Sequence, residues 1–379
     1  MRTYLSVNLS FYVCAALLAA SFGACAQGSV KVETVAEGLE NPWAVAFLPE
    51  GRFLVTERPG RLRVVEANGQ LQAPVHGLPD IAAGGQGGLL DVVADSDFVK
   101  NRTIYFCFSE PGPGNTNSTA LARAQLTNDH KHLKDLKIIF RQKPKISSKL
   151  HFGCRIVERQ VDGKPDGTLF LTLGERFSQK EEAQKLDNHL GKIVRVGKDG
   201  AIPQDNPFIG RHGAQPEIWS YGHRNSQGAA LAPDGAFWMI EHGPQGGDEI
   251  NLPQPGKNYG WPVITYGENY GGGPIGEGLT EKADMEQPLH HWTPSIAPSG
   301  MAFLTSDRYG PEWKGSLFVG SLKFQYLDRI ALKDGKVAAE QPLLKEMGQR
   351  IRDVRQGPDG LLYILTDSSK GKLMKVTPL

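Results

Sequence analysis

Tight polar turns alternate with short apolar runs along most of this chain. Four of the turns read Pro-Glu-Gly or Pro-Asp-Gly, at residues 49–51, 165–167, 233–235 and 358–360. The β-favouring runs that follow them are 53–56, 168–173, 236–240 and 361–366. Proline presets the turn, the acidic side chain accepts hydrogen bonds from the backbone, and glycine adopts positive φ at no steric cost. The pattern therefore predicts β-hairpins along the chain.

Two further β units share this rhythm without the turn tripeptide. They are 89–93 with 103–108, and 300–304 with 316–320. Six β units without intervening helical periodicity predict a six-bladed β-propeller of four-stranded antiparallel sheets, because radial closure protects the strand edges. A β-sandwich is the alternative fold, but one sandwich rarely needs a chain of this length. Glycine, aromatic and charged residues concentrate in the loops between units, where a rigid scaffold usually carries function.

The composition agrees with a turn-rich globular protein. The 379 residues include 45 glycines and 25 prolines, and 22% are charged. The formal net charge is +1, and like charges are not concentrated in any stretch. The sequence therefore lacks the electrostatic footprint of a nucleic-acid-binding protein.

The first 26 residues have the composition of an export signal. The run 13–22 is almost wholly apolar, and Ala24-Cys25-Ala26 supplies a small-residue cleavage site. We predict a signal peptide at 1–26 and a periplasmic mature chain, 27–379, that forms a single propeller domain. We expect no transmembrane segment, because the apolar run is shorter than the roughly 20 residues that span a bilayer. Lipid attachment at Cys25 is the alternative.

Two cysteines remain after the predicted cleavage, Cys107 and Cys154. An exported protein can form a disulfide. Cys107, however, lies within the apolar run 104–108, where a buried free thiol is equally compatible. The sequence leaves both states open.

Several polar residues stand beside glycines or predicted strand ends, where a propeller has its funnel mouth. They are His151, Arg224, Asn225, Lys323, Arg350 and Arg352. Together they supply one candidate base and four cations, and arginine in particular binds carboxylates through two hydrogen bonds. Any one of them alone is more typical of a solvated or salt-bridged residue. As a set, they suit a ligand that carries several carboxylates.

The segment 243–249, Gly-Pro-Gln-Gly-Gly-Asp-Glu, has the chemistry of a metal site. Its glycines free the backbone so that carbonyl oxygens can converge, and two acidic side chains follow. Oxygen ligands of this kind suit a hard cation such as calcium. A glycine-rich turn with solvated acids is the alternative.

Motifs spread along the chain resemble the soluble aldose sugar dehydrogenases of the glucose/sorbosone dehydrogenase family. The motifs are Gly85-Gln86-Gly87-Gly88-Leu89-Leu90-Asp91, His151-Phe152-Gly153, Leu173-Gly174-Glu175, Trp219-Ser220-Tyr221-Gly222-His223-Arg224-Asn225, Glu241-His242-Gly243-Pro244, Gly247-Asp248-Glu249-Ile250-Asn251, Asn258-Tyr259-Gly260-Trp261-Pro262 and Arg350-Ile351-Arg352-Asp353. The resemblance runs in order from about residue 33 to the C-terminus. It weakens at Cys154, where the family often has glycine, and over 175–184, which lacks an expected amide-rich run.

The resemblance implies pyrroloquinoline quinone (PQQ) across the central funnel, with calcium beside it. By matching motif positions, the residues around the quinone would be Gln86, Arg224, Asn225, Tyr270, Lys323, Arg350 and Arg352. The carbonyls of Gly243 and Pro244 resemble ligands of the cofactor calcium, while Glu249 and the Tyr259 carbonyl resemble a second, structural calcium site.

The activity implied by the resemblance is oxidation of the C1 hydroxyl of aldose sugars to the lactone by hydride transfer to PQQ. His151 would remove the hydroxyl proton, and Arg224 would stabilise negative charge on the quinone. We expect a monomer that uses an external electron acceptor and many aldoses, because Gly271-Gly272-Gly273 offers few fixed side chains for discrimination. Two rival functions are a calcium-dependent hydrolase of the lactonase type, which gives no reason for the cations, and a non-catalytic propeller that binds a glycan or partner.

Overall fold

The computed structural model describes residues 29–379, which form six antiparallel sheets. The strands are β1 (Val30–Leu39), β2 (Pro42–Phe47), β3 (Phe53–Glu57), β4 (Arg61–Val65), β5 (Leu89–Ala94), β6 (Thr103–Pro111), β7 (Asn117–Leu126), β8 (Leu133–Arg141), β9 (Gly153–Val161), β10 (Lys164–Leu173), β11 (Lys192–Gly197), β12 (Ile218–Tyr221), β13 (Ser226–Leu231), β14 (Phe237–Glu241), β15 (Asp248–Asn251), β16 (His290–Trp292), β17 (Pro298–Phe303), β18 (Leu317–Ser321), β19 (Leu327–Lys333), β20 (Lys336–Leu343), β21 (Ile351–Gln356), β22 (Leu362–Thr366) and β23 (Gly371–Pro378). The helical segments are α1 (Phe98–Asn101) and the 3₁₀ turns Pro49–Gly51, Pro113–Asn115, Lys180–Gln184 and Lys345–Met347. The predicted signal peptide, with Cys25, lies outside the described residues.

The six sheets are blades around a closed ring. In chain order, the blades are β2–β4, β5–β8, β9–β12, β13–β16, β17–β20 and β21–β23 with β1. The innermost strands β2, β5, β9, β13, β17 and β21 contact one another in succession, and β21 contacts β2. This confirms the predicted six-bladed propeller. None of the helices in the described part of the chain is long and apolar enough to cross a membrane.

Strands from both ends of the described chain pair in the last blade. Strand β1 forms the outer edge of this blade and pairs antiparallel with β23, from Val30 opposite Pro378 to Leu39 opposite Gly371. The blade that contains the C-terminus therefore takes its fourth strand from the N-terminal side. The hydrophobic pattern did not reveal this closure.

The six predicted β units fall in six different blades, with two local differences. The first blade has three regular strands, and residues 71–75 take its outer position through the hydrogen bonds Gln72 N–H to Val64 and Val75 N–H to Leu62. Residues 165–167 do not form the turn that their sequence predicts. They lie inside β10, where the pairing with β9 shifts register between Pro165 and Leu169. Proline is tolerated at such an irregularity because no ladder hydrogen bond is required of it.

Buried ion pairs link the innermost strands at the centre of the ring. Arg155 pairs with Asp353 at 2.8 Å, and Arg355 pairs with Asp91 at 2.7 Å. The Arg155 guanidinium also lies 4.1 Å from the centre of the Trp43 ring. These residues come from four innermost strands, so the network links blades that are distant in sequence.

A disulfide joins the second and third blades. Cys107 on β6 and Cys154 on β9 are bonded, with a Cα–Cα distance of 5.8 Å, and both are fully buried. That separation is usual for a disulfide. The structure therefore selects the bridge over the free thiol, and it places the bridge three residues after His151.

Candidate active site

The residues singled out in the sequence gather at one end of the ring for a topological reason. Those that come just before or at the start of an innermost strand are Gln86, His151, Arg224, Asn225, Arg350 and Arg352. Those that come just after a second strand are Gly243 and Lys323. Because the second strand runs antiparallel to the first, its end returns to the end where the first strand begins.

A cavity of about 480 Å³ opens at this end of the propeller. Its lining includes four of the predicted cofactor residues, Gln86, Lys323, Arg350 and Arg352. It also includes Arg58, Gln227 and His242, which the sequence analysis did not propose. Arg58 follows β3 as Lys323 follows β18, so its position after a second strand was the signal that could have found it.

Four cationic side chains line this cavity, and a single acidic side chain, Asp367, pairs with two of them. Arg350 and Arg352 both contact Asp367, at 2.8 Å and 2.9 Å. Burial raises the pKa of Asp367, but the charges of the two arginines outweigh burial and lower it to about 2. The buried Nε of Arg352 has no hydrogen-bond partner, and neither Arg58 nor Lys323 takes part in an ion pair within residues 29–379. The cavity therefore favours an anionic ligand.

A second cavity, of about 270 Å³, lies beside the first. Its lining includes Glu175, Phe177, Arg224, Pro244, Trp261 and Tyr270. Tyr270, predicted beside the quinone, stands in this second cavity with 63% of its surface exposed. Exposed aromatic rings next to polar groups are suited to a sugar, which has both apolar faces and hydroxyl groups.

Arg224 links the two cavities. Its guanidinium donates hydrogen bonds to the carbonyls of His242 and Gly243, at 3.0 Å and 2.7 Å, and lies 5.2 Å from the centre of the Trp261 ring. The other terminal nitrogen is 3.4 Å from the Tyr270 hydroxyl. The buried Nε has no partner in the described part of the chain. Backbone carbonyls thus fix the Arg224 guanidinium, and its Nε remains available to donate a hydrogen bond to a ligand.

His151 lies between the same two cavities. Its Nδ1 is 2.6 Å from Glu175, which lines the second cavity, and its backbone N–H donates to Gln86, which lines the first, at 2.8 Å. The Phe177 ring packs edge-on against the imidazole, with centroids 5.2 Å apart. With Nδ1 bonded to a carboxylate, the proton of the neutral ring resides there, and Nε2 is free to accept another.

Burial sets the protonation state of His151. Burial lowers the pKa of His151 below its ordinary value, Glu175 opposes this effect, and Arg224 and Arg176 lower the pKa further. A neutral imidazole at neutral pH is the form that can act as a base. Glu175 was quoted in the sequence analysis only as part of a motif, and its pairing with the base emerged from the structure.

Asn225 is a structural neighbour of this base. Its Oδ1 accepts hydrogen bonds from the side chain of Gln227 at 3.1 Å and from the backbone of Gly153 at 3.4 Å. Asn225 is fully buried, with 1% exposure. It therefore ties the start of β13 to the loop that carries His151.

The residues proposed for calcium occupy two places. The Gly243 carbonyl faces Arg224, and Pro244 lines the second cavity. Glu249 lies opposite Glu241 on the neighbouring strand, and the Asn251 amide nitrogen bridges the two carboxylates, at 3.1 Å from each. The side-chain oxygen of Asn251, Oδ1, is buried and has no hydrogen-bond partner within residues 29–379.

Tyr259 reaches this acidic pair indirectly. Its ring stacks on His223, with centroids 4.9 Å apart, and His223 contacts Glu241 at 3.2 Å. Burial, with Glu241 and Asp248, raises the pKa of Glu249 to about 8. Residues 29–379 contain no cluster of three or more His, Cys, Asp or Glu side chains arranged to hold a metal ion, so a cation here would depend on carbonyl and amide oxygens as well.

The propeller fold and this two-part site agree with the class of protein that the comparisons show, the sugar dehydrogenases. The family model described as "Glucose / Sorbosone dehydrogenase" matches residues 39–375, and this chain belongs to that family. It is an oxidoreductase family.

Well-described relatives cover nearly the whole chain. The chain is 48% identical to aldose sugar dehydrogenase YliI of Escherichia coli K12, over 97% of this chain and 98% of that protein. It is similar to the crystal structure of the apo form of soluble aldose sugar dehydrogenase from Escherichia coli, at 48% identity and a TM-score of 0.88, over 93% of this chain and 100% of the other. It is also similar to the PQQ-bound aldose sugar dehydrogenase of Streptomyces coelicolor, at 29% identity and a TM-score of 0.76, over 93% and 99% of the two chains.

Proposed function

We propose that this protein is a PQQ-dependent aldose sugar dehydrogenase that oxidises the C1 hydroxyl of many aldoses to the lactone. The observation that carries the proposal is the position of the His151–Glu175 pair between the cation-lined cavity and the second cavity. A base between a site for an anionic oxidant and a site for a sugar is the arrangement that this reaction requires.

The first cavity fits PQQ in charge. The quinone bears three carboxylates, and the cavity offers the cations Arg58, Lys323, Arg350 and Arg352 against Asp367 alone. The unpartnered Nε of Arg352 adds a buried donor. When bound, PQQ supplies the acceptor for the hydride from the sugar C1. Gln86, which lines this cavity, and Arg224, which donates to the carbonyl of its lining residue His242, would also bind the cofactor.

Calcium also fits the oxygen donors that are present. Glu241 and Glu249 face each other, and Asn251 Oδ1, which has no hydrogen-bond partner among the described residues, belongs to the amide that bridges them; a hard divalent cation would stabilise such a pair. We propose that Glu249 and the Tyr259 carbonyl hold a structural calcium. The carbonyls of Gly243 and Pro244 would hold a second calcium beside the cofactor.

His151 would carry out the proton transfer. Its Nε2 would take the C1 hydroxyl proton of the sugar, the C1 hydrogen would leave as hydride to the acceptor that the cofactor supplies, and the exocyclic C1–O bond would become the lactone carbonyl. Glu175 stabilises the imidazolium that forms, because its carboxylate lies 2.6 Å from Nδ1. Arg224, with its free Nε, would bind an oxygen on which negative charge develops.

Reconstitution tests the function directly. We expect the mature chain, purified from a host that makes no quinone, to lack dye-linked aldose oxidation and to gain it on addition of PQQ with calcium. PQQ without calcium, and calcium without PQQ, are the matched controls. Sugar oxidation by rigorously quinone-free protein, or none after reconstitution over a broad sugar panel, would refute the proposal. Lactone hydrolysis without quinone would favour the hydrolase instead.

We expect a broad substrate range. The loop 267–276 that carries Tyr270 contributes Gly271, Gly272 and Gly273, whose added Cβ atoms would meet no neighbour within 4 Å, so few side chains confine the sugar there. Steep discrimination needs buried polar groups that a wrong substrate leaves unpaired. We would compare kcat/KM for glucose, xylose, galactose and maltose. A preference above about a thousandfold, roughly 4 kcal/mol, would contradict the prediction.

We further propose that the protein acts as a periplasmic monomer after removal of residues 1–26 and passes electrons to an external acceptor. The support is the composition of the N-terminal segment and the reaction itself, which leaves the cofactor reduced.

A further inference from the structure

Arg176 encloses the loop that carries His151. Its guanidinium donates to the carbonyls of Leu150 at 3.0 Å and Ser148 at 2.6 Å, on the chain just before the base. It also donates to the backbone carbonyl of Asn117 at 3.1 Å and to its side-chain oxygen at 2.6 Å. One buried side chain thus fixes the base loop to the neighbouring blade.

The backbone of Arg176 and the face of its guanidinium add to this enclosure. Its N–H donates to the His151 carbonyl at 3.3 Å, and its own carbonyl accepts from the Ser148 hydroxyl at 2.9 Å. The guanidinium lies 3.8 Å from the centre of the Phe152 ring. Contacts therefore reach the residues on both sides of His151, and the planar guanidinium suits several carbonyls at once.

The charge of Arg176 has no carboxylate in salt-bridge contact within the described residues. Burial lowers the pKa of Arg176 to about 10, against the opposing charge of Glu175, so the side chain is still cationic at neutral pH. A buried cation whose hydrogen-bond partners are uncharged oxygens is costly. Because Arg176 lies beside the base, a functional role can account for the cost of burying its charge.

The local backbone is also strained. Arg176 and Phe177 have φ of +67° and +69°, in the left-handed region that side chains other than glycine rarely adopt. Such conformations persist where surrounding contacts compensate, and they cluster at functional sites. Arg176 lies in the stretch 175–184, which lacks the amide-rich run expected from the resemblance, so the motifs had assigned it no role.

We propose that Arg176 is a positioning residue for the base, because its guanidinium fixes the loop that carries His151 to the neighbouring blade. This inference rests on the role proposed for His151 but makes a separate claim about how that role is maintained.

The charged groups that face His151 define the expected pH effect. Glu175 favours the imidazolium, whereas Arg224 and Arg176 disfavour it. The nearby His242 contributes no charge, because burial lowers its pKa to about 3 despite its bond to the Pro298 carbonyl. Removal of the Arg176 charge should therefore raise the pKa of His151. A smaller fraction of His151 is then neutral, and able to act as a base, at mildly acidic pH.

Two substitutions separate fixation from charge. Arg176→Gln removes both. We expect kcat to fall roughly 10- to 100-fold. We also expect the acidic limb of the kcat/KM profile to shift to higher pH by about one pH unit. Arg176→Lys keeps the charge and loses the planar geometry, so kcat should fall while the acidic limb stays in place. The matched control is Arg102→Gln, since Arg102 also has positive φ, bonds two carbonyls and lies over a phenylalanine, away from both cavities.

The imidazole titration of His151 provides a readout without activity. We would follow it by NMR in the unreconstituted protein, with the signal assigned by its loss in His151→Gln. A raised His151 pKa in Arg176→Gln, with none in Arg102→Gln, supports the proposal. An unchanged titration in Arg176→Gln, or an Arg176→Lys enzyme with the kcat of the parent, overturns it. If the reconstituted parent oxidises no sugar, the proposed function fails, and the titration still decides the role of Arg176. If Arg176→Gln does not fold, Arg176→Lys decides it alone.

Discussion

Replacement of His151 with alanine should lower kcat by about two to four orders of magnitude while PQQ binding stays nearly intact. The imidazole contacts Glu175 and Phe177, whereas the link to the cofactor cavity is the backbone N–H of His151, which alanine keeps. A steady-state dye-linked assay of the reconstituted enzyme would give kcat, and titration with PQQ followed by absorbance would give its affinity.

Two further variants sharpen this test. His76→Ala is the matched control, because His76 is an exposed histidine outside both cavities. Arg224→Ala should lower both turnover and PQQ affinity, since this side chain stands between the cavities and holds the Gly243 carbonyl. Near-normal turnover in His151→Ala would mean that another group is the base.

Loss of the Cys107–Cys154 disulfide should lower the free energy of unfolding by about 4 kcal/mol. The bridge closes a loop with a sequence separation of 47 residues, and the chain-entropy cost of such a loop in the unfolded state accounts for a penalty of this size. Urea unfolding of a Cys107→Ala/Cys154→Ala variant, followed by tryptophan fluorescence, would measure it.

The single variants act as controls for the double one. Either substitution removes the cross-link, so Cys107→Ala, Cys154→Ala and the double variant should be destabilised to a similar extent. Both sulfur atoms are fully buried, and their loss adds a small packing cost. A double variant within about 1 kcal/mol of the parent would show that the bridge does not restrict the unfolded chain as expected.

The two cavities divide the proposed reaction between different kinds of interaction. Charge dominates the first, where four cations face one acidic residue. Aromatic surface dominates the second, where Phe177 and Tyr270 are exposed beside Arg224. His151 and Glu175 lie at the boundary, so the same buried pair can serve a reaction between an anionic cofactor and a neutral sugar.

Local sequence determined the blades and the end of the ring where function gathers. Turn residues and β-favouring runs act over a few residues, so the units at 53–56 and 361–366 could be predicted without knowledge of the fold. The order of innermost and second strands then places residues such as Gln86 and Lys323 at one end. The family motifs supplied the remaining candidates, including Gln86 and Tyr270.

Only the tertiary structure decided which distant residues pair. The β1–β23 closure, the Cys107–Cys154 bridge and the Arg352–Asp367 contact join residues that no local pattern connects. The pairing of Glu175 with His151 continues the β9–β10 hairpin, whereas the enclosure of that loop by Arg176 also requires Asn117 from the neighbouring blade. Turn residues act on their immediate neighbours in the sequence. The contacts named above form only when the closed ring brings distant segments together and buries them.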